Sequence, residues 1–335
     1  SISLSHGNEK LQNYFSYANT TGHGIIGKHN LSKHNLTFRE TSVLLNSRLK
    51  LDGSMNLMRQ VVKNKPTVGG FYMNPLVGLY RFPRGEDISY YKENFEVYDE
   101  GRNLNIQNWH TSYEDFEQNP YWITNRILSK ENRMHVIVSL SANLKINDWL
   151  SLQARGNVDY INDKVRQQFY ASTAPALAGA NGRYIEMDYQ ETQYYGDAIL
   201  MMKKQWDAFS LNAALGASIK DKTVNSTRYD SKTASLKYAN VFNLANIIMN
   251  GSAGLDQKID ARRQLQSLFA TAQLGYNEFV YLDLSARNDW SSTLAYTSHE
   301  KSGFFYPSVG FSLIFNKLMT LPRWVSLAKI RGAYS

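Results

Sequence analysis

From Phe279 to Trp290 the chain reads FVYLDLSARNDW, a strict alternation with Val280, Leu282, Leu284 and Ala286 on one side and Tyr281, Asp283, Ser285 and Arg287 on the other. Side chains of a β-strand change face at every residue, so this pattern predicts a strand with one oily and one charged surface. The arrangement returns in MHVIVSLSANL, where Val136, Val138, Leu140, Ala142 and Leu144 oppose His135, Ser139, Ser141 and Asn143. It returns again in LSLQARGNVDY from Leu150 and in FSLNAALGAS from Phe209. A soluble sandwich buries its oily face in a core, whereas a transmembrane barrel turns that face to lipid and its polar face to a lumen. Arg155 and Asp159 fit a wet interior, because an unpaired charge in a dry core is strongly unfavourable.

Turn signals divide these stretches into about twelve strands, near residues 1–6, 11–19, 34–50, 54–63, 132–147, 150–162, 189–205, 207–220, 259–276, 279–290, 304–316 and 326–335. Several exceed the roughly 9–11 residues that a tilted strand needs to cross a bilayer. Short turns are expected at GNEK (7–10), LDGS (51–54), INDW (146–149), KQWD (204–207) and YNEF (276–279), with a somewhat longer one at NKLMTLPRW (316–324). Between them lie long polar segments at 20–33, 64–131, 163–188, 221–258 and 291–303. Short and long connectors alternate throughout, which is the parity of an antiparallel up-and-down transmembrane β-barrel with short periplasmic turns and long extracellular loops. Trp149, Trp206, Tyr276, Phe279 and Trp324 stand beside the short turns, where amphipathic rings form a membrane girdle.

Composition sharpens this reading. Tyr (22) and Phe (15) are abundant and Pro (7) is scarce, as suits strands. No apolar run reaches the roughly 18 residues of a spanning helix, and a barrel escapes that test because lumenal residues dilute each strand. The absence of cysteine removes disulfides and thiolate chemistry. The net charge of +8 comes from cations scattered along the chain, which favours anionic lipid head groups, lipopolysaccharide or lumen chemistry over nucleic acid. No signal peptide is visible, and the chain opens and closes inside strand-like sequence, so a longer natural polypeptide is expected on both sides.

The stretch YLDLSARNDWSSTL (281–294), then FFYPSVGFSLIF (304–315), then SLAKIRGAYS (326–335), resembles the late barrel strands of the SusC/RagA-like TonB-dependent transporters of Bacteroidetes. The matching positions are Arg287, Asp289, Ser291 and Ser292, then Phe305, Pro307 and Ser308, then Lys329, Arg331 and Tyr334. Trp290 departs from the family's usual Gly at that place. NPYWITNR (119–126) leading into NDWLSLQARGNVDY (147–160) is similar to the family's middle barrel, residues 1–63 resemble it less, and 64–118 match nothing recognisable. The resemblance implies about twelve consecutive strands of a ~22-stranded outer-membrane barrel. It further implies a plug and TonB box elsewhere in the protein, TonB as energy coupler, and a SusD-like surface lipoprotein as lid.

Substrate contact in such a barrel is expected from the long loops and the upper lumen wall. Segment 64–131, read as one long extracellular loop, interleaves Phe71, Tyr72, Tyr80, Tyr90, Tyr91, Trp109, Tyr113, Tyr121 and Trp122 with amides and carboxylates. Tyr90, Tyr91, Trp109, Tyr113, Tyr121 and Trp122 are the candidate substrate-binding residues, since flat rings stack on sugar faces and peptide side chains. The alternative is that the loop uses its rings to pack on itself or to dock the lid. Parity places Arg155, Asp159, Asp283 and Arg287 on the lumen face, where pairing and wall solvation compete with substrate contact. His23, His29 and His34 lack the spacing and acidic company of a metal site. No common catalytic motif occurs, so neither enzymatic activity nor a cofactor is expected.

The leading expectation is TonB-dependent import of a bulky nutrient, glycan or oligopeptide, across a Gram-negative outer membrane. Siderophore or cobalamin import is the other cargo class. A non-transport, adhesive all-β surface protein is a competing class, as is an outer-membrane enzyme, which would need a lumenal catalytic dyad.

Overall fold

The computed structural model describes residues 1–335 apart from 68–71, 112–116, 233–235, 250–253, 320 and 323. Among the described residues, twelve strands form one antiparallel sheet. They are β1 (Ile2–Gly7), β2 (Leu11–His23), β3 (Asn30–Leu44), β4 (Leu49–Lys63), β7 (Ile127–Lys145), β8 (Leu150–Phe169), β9 (Arg183–Trp206), β10 (Phe209–Asp230), β11 (Gly254–Tyr276), β12 (Val280–Ser291), β13 (Phe304–Ile314) and β14 (Lys329–Tyr334). Each pairs with its neighbour in that order, so the topology is an up-and-down antiparallel meander. The connector from β4 to β7 carries helices α1 (Pro75–Arg81), α2 (Ile88–Glu93) and α3 (Pro120–Arg126) and a small hairpin, β5 (Glu96–Asp99) with β6 (Leu104–Gln107).

Register turns the alternation into two chemically opposite surfaces. Leu44, Leu49, Leu144, Leu152, Leu200, Leu215, Ala270, Ala286 and Pro307 stand side by side in one row across nine strands. On the other face a parallel row reads Gln12, Thr41, Asp52, Ser141, Arg155, Asp197, Ser218, Ser267 and Asp289. Among the described residues nothing covers the apolar face as a core would, since Leu282 is 37% and Leu284 41% exposed. On β8 the apolar run extends from Leu150 through Leu152, Ala154, Gly156 and Val158 to Tyr160, then gives way to Asn162, Lys164 and Arg166. Ten steps at ~3.3 Å, tilted by about 40–45°, give a band about 24 Å tall, the apolar height of a membrane barrel.

The tilt is visible in the register as well. A higher row on the outer face runs Phe15, Phe38, Met55, Val138, Val158 and Tyr194, then turns polar at Asp221 and Gln264. A row perpendicular to tilted strands rises around the wall, so on β10 and β11 it has already left the hydrocarbon.

Strands also run further than alternation alone marks. The pairing of His23 with Asn30, of Phe169 with Arg183 and of Asp230 with Gly254 shrinks the polar segments expected at 20–33, 163–188 and 221–258 to 24–29, 170–182 and 231–253. Above the bilayer neither face meets lipid, so a strand there carries no oily alternation. The turn expected at LDGS is displaced too. Asp52 and Gly53 lie inside β4, and the chain reverses at Leu45, Asn46 and Ser47, all at positive φ (51°, 52° and 67°). This register sets Leu44 beside Leu49 and lets the Thr41 hydroxyl donate to Asp52 at 2.7 Å. Matching faces over fifteen-residue strands outweighs the local preference of an Asp-Gly pair. Two other tight turns share one device: Asn8 Oδ1 accepts from the Lys10 and Leu11 amides, and Asn147 Oδ1 from those of Trp149 and Leu150.

A folded mouth and a charged wall

The connector between β4 and β7 folds around α3. Asn119 and Pro120 start this helix, the asparagine oxygen accepting from the Tyr121 amide at 2.8 Å and the proline occupying the first turn. The Asn119 side chain, fully buried, also donates to the Tyr91 and Asn108 carbonyls at 2.9 and 2.8 Å. Buried Gln118 accepts from the Ala174 amide at 2.8 Å, tying the connector to the β8–β9 loop. Trp122, 1% exposed, donates its indole N–H to the Thr173 hydroxyl at 3.1 Å. At the end of α3, Arg126 forks onto Glu96 at 2.6 and 2.7 Å and lies over the rings of Tyr170 and Phe95. The Glu96 carboxylate holds the Arg126 guanidinium above its ordinary pKa.

A second knot surrounds Glu117, which is 5% exposed. Trp109 donates to it at 3.3 Å, Arg81 approaches within 3.2 Å, and His110 Nε2 lies at 3.2 Å. The rings of Phe82, Tyr91, Trp109 and His110 pack together over this carboxylate, with centroids from 4.7 to 6.3 Å apart. Burial, with the Glu86 carboxylate beside it, pushes the Tyr91 phenol above its usual pKa.

Of the six candidate contact residues, then, Trp122 lies in the connector's interior and Trp109 and Tyr91 inside an aromatic cluster. Tyr121 is half-buried, and Tyr90 stands 53% exposed against Tyr91. Tyr113 lies outside the described residues. Tyr80 (83%) and Tyr98 (60%) are also open to solvent. Between the connector and the wall is a cavity of about 340 Å³, lined by Lys65, Met73, Ile123, Glu131, Gln167 and Phe169 among others. Sequence reasoning missed it because its walls come from separate segments. Inward parity of Glu131 and Gln167 near the strand ends was the available signal.

The β8–β9 and β10–β11 loops are fastened together by Arg183. Its guanidinium pairs with Asp230 at 2.8 Å through two nitrogens and donates to the Leu177 carbonyl at 2.9 Å. Arg228 adds a contact to Asp230 at 2.7 Å. Burial would raise the Asp230 carboxyl, but hydrogen bonds from Arg183 and the Lys232 amide hold it below the usual range. Phe169, Ile185 and Ala178 pack on the inner side of these strand ends, and Tyr184, Leu236 and Ile247 form a separate cluster.

Register puts Arg155, Asp159, Asp283 and Arg287 on the polar face, each with its own partner. Arg155 forks onto Asp197 at 2.7–3.1 Å, and the Tyr195 hydroxyl donates to the same carboxylate at 2.6 Å. Asp159 meets His135 at 2.7 Å, and Asp283 accepts from Gln273 at 2.7 Å. Arg287 contacts Asp289 and Ser267, both at 2.8 Å, and lies over the Phe269 ring. That ring fits because Gly216 stands opposite, where a Cβ would come within 2.4 Å of it. His23 and His34, set aside above as metal ligands, hydrogen-bond to Asn30 and to Tyr17.

No protein-family model matches the chain, and no curated protein does. Solved structures do. The chain is similar to a structure of the RagAB peptide transporter over 99% of its own length and 36% of that chain, with a TM-score of 0.73 and 18% identity. It is also similar to P. aeruginosa FpvA bound to a heterologous pyoverdine (TM-score 0.59, 13% identity, 93% of this chain and 37% of that one). A further match is the siderophore receptor PiuA from Acinetobacter baumannii (TM-score 0.51, 10% identity, 99% of this chain and 42% of that one). The chain spans little more than a third of the length of these structures, and its fold is that of their barrel walls.

Proposed function

We propose that this chain is part of the barrel of a TonB-dependent importer that carries a bulky nutrient, an oligopeptide or glycan, across the outer membrane of a Gram-negative bacterium. One observation carries the reading: a continuous wall, apolar outside and charge-paired inside, that superposes over 99% of its length on a peptide transporter. The wall charges support passage rather than capture. Arg155, Asp159 and Arg287 are each engaged by the wall itself, so a solute sliding past meets a wet, neutralised surface. Capture falls to the mouth, where the connector is a folded body with Tyr80, Tyr90 and Tyr98 outward and a cavity at its base. The resemblance to SusC/RagA-like proteins supports a SusD-like lipoprotein lid over that mouth and TonB acting on a plug. In this reading the wall is not an enzyme.

The test is uptake of labelled oligopeptides and glycans by cells carrying the full-length protein, with and without TonB and with a protonophore. Uptake of one class is expected, abolished in both controls. Uptake indifferent to TonB and the proton gradient, or an intact protein that stays monomeric in water without detergent, overturns the reading.

A further inference from the structure

Above the apolar band, the outer face of three neighbouring strands carries a row of cations. Register places Lys63 on β4 opposite Lys130 on β7, and Lys130 opposite Arg166 on β8. Neighbouring strands lie ~4.8 Å apart, so the three positions span about 10 Å. Arg59 and Lys164 share this face, nearer the band. Like charges directly opposite one another are destabilising, and this row sets two such pairs in succession.

Local carboxylates answer it in part. Glu186 lies 3.2 Å from Arg166 and Asp188 3.4 Å from Lys164, both from β9 on one flank. On the other flank β3 offers Asn30, Ser32 and His34. Among the described residues no carboxylate comes within ion-pair distance of Arg59, Lys63 or Lys130, and all three are exposed. Five cations thus face two carboxylates. On β7 the continuous outward apolar run ends at Met134, Asn132 follows it, and Lys130 stands four residues beyond Met134, with Leu128 next on the same face. At ~3.3 Å per residue on a tilted strand that is about 10 Å above the hydrocarbon, the depth of lipid head groups.

We propose that Lys63, Lys130 and Arg166 bind the phosphates of a phosphorylated glycolipid in the outer leaflet. The proposal rests on the outer-membrane reading above. Charge complementarity selects the occupant: the row faces away from the lumen, at head-group height, and is wide enough for two phosphates.

The experiment uses the full-length transporter in nanodiscs and measures binding of a bisphosphorylated glycolipid by native mass spectrometry. Its dephosphorylated form and inorganic phosphate are compared. The triple substitution Lys63→Gln, Lys130→Gln and Arg166→Gln is expected to weaken binding about a hundredfold, near fivefold per charge. The Lys63→Arg, Lys130→Arg variant retains binding, which separates lost charge from lost fold. Dephosphorylated lipid and inorganic phosphate are expected to bind weakly. Wild-type affinity in the triple variant, or equal binding of dephosphorylated lipid, overturns the site. Inorganic phosphate binding as tightly as lipid overturns the lipid assignment. Failure to enter nanodiscs at all overturns the outer-membrane reading instead.

Discussion

Asp197 is the wall residue with the most at stake. Its side chain is fully covered, while its partner Arg155 is 47% exposed, so the pair is half wet. Removing the carboxylate leaves the Tyr195 hydroxyl and a guanidinium without their acceptor, whereas removing Arg155 leaves a covered anion. Each single change, Asp197→Ala or Arg155→Ala, is expected to destabilise the folded barrel by about 1–3 kcal/mol, and the two together by less than their sum. Urea unfolding of the full-length protein in a double-mutant cycle reads this, and strict additivity would show that the contact carries no coupling. Asp230 makes a different prediction because it sits outside the membrane. Its folded carboxyl lies below the ordinary value of 3.8, so its pairing with Arg183 contributes fully above that value and fades as pH falls through the lower, folded one. Acidification below about pH 3.8 is therefore expected to expose the 170–182 loop to pepsin. In Asp230→Asn the loop is already loosened at neutral pH, and its exposure no longer changes with this titration. An unchanged acid transition in the variant would assign it to another group.

Among the elements, α3 is small and carries much of the mouth's architecture. Asn119 satisfies three backbone groups at once, capping the helix and holding two carbonyls. Asn119→Ala leaves those carbonyls buried without donors and is expected to loosen the connector by about 2–4 kcal/mol, seen as faster hydrogen exchange across 88–110, with the barrel strands unaffected. Exchange that stays wild-type there would mean the clamp is redundant. The sequence already held a sign of this helix, since Asn-Pro opens both α1 and α3, a cap followed by a residue suited to the first helical turn. The signal went unread because the segment lacks the apolar periodicity that marks longer elements. The strands were legible for the opposite reason: between lipid and water, each residue's polarity reports its face. Where neither side meets lipid, as from Asn162 to Phe169, that report stops and the strand runs on past the alternation. The candidate site was less legible still. Composition separates aromatic from polar positions, but whether Trp122 meets a ligand or Thr173 depends on a loop some fifty residues away in the chain.

At the scale of the molecule, the claim is that one surface of this wall touches hydrocarbon and the other water. Leu215 and Ser218 test it within a single strand. Leu215 lies in the apolar row between Leu200 and Ala270, and Ser218 lies three residues on in the polar row, between Asp197 and Ser267. Both are on the membrane-crossing part of β10, so they differ mainly in the face they present. Leu215→Lys places a cation in lipid and is expected to cost about 2–4 kcal/mol, falling with distance from the midplane. Ser218→Lys places the same charge beside Asp197, in water and near a carboxylate, and is expected to cost under about 1 kcal/mol. Folding of the full-length variants into vesicles, followed by reversible denaturant titration, measures both. A soluble sandwich would bury Leu215 in a core and give the same order, but its variants would fold and unfold in water with no need of vesicles. The need for a bilayer, together with the larger penalty at Leu215, therefore distinguishes the architectures without reference to cargo, lid or energy source, and everything proposed for the mouth and the outer cation row depends on it.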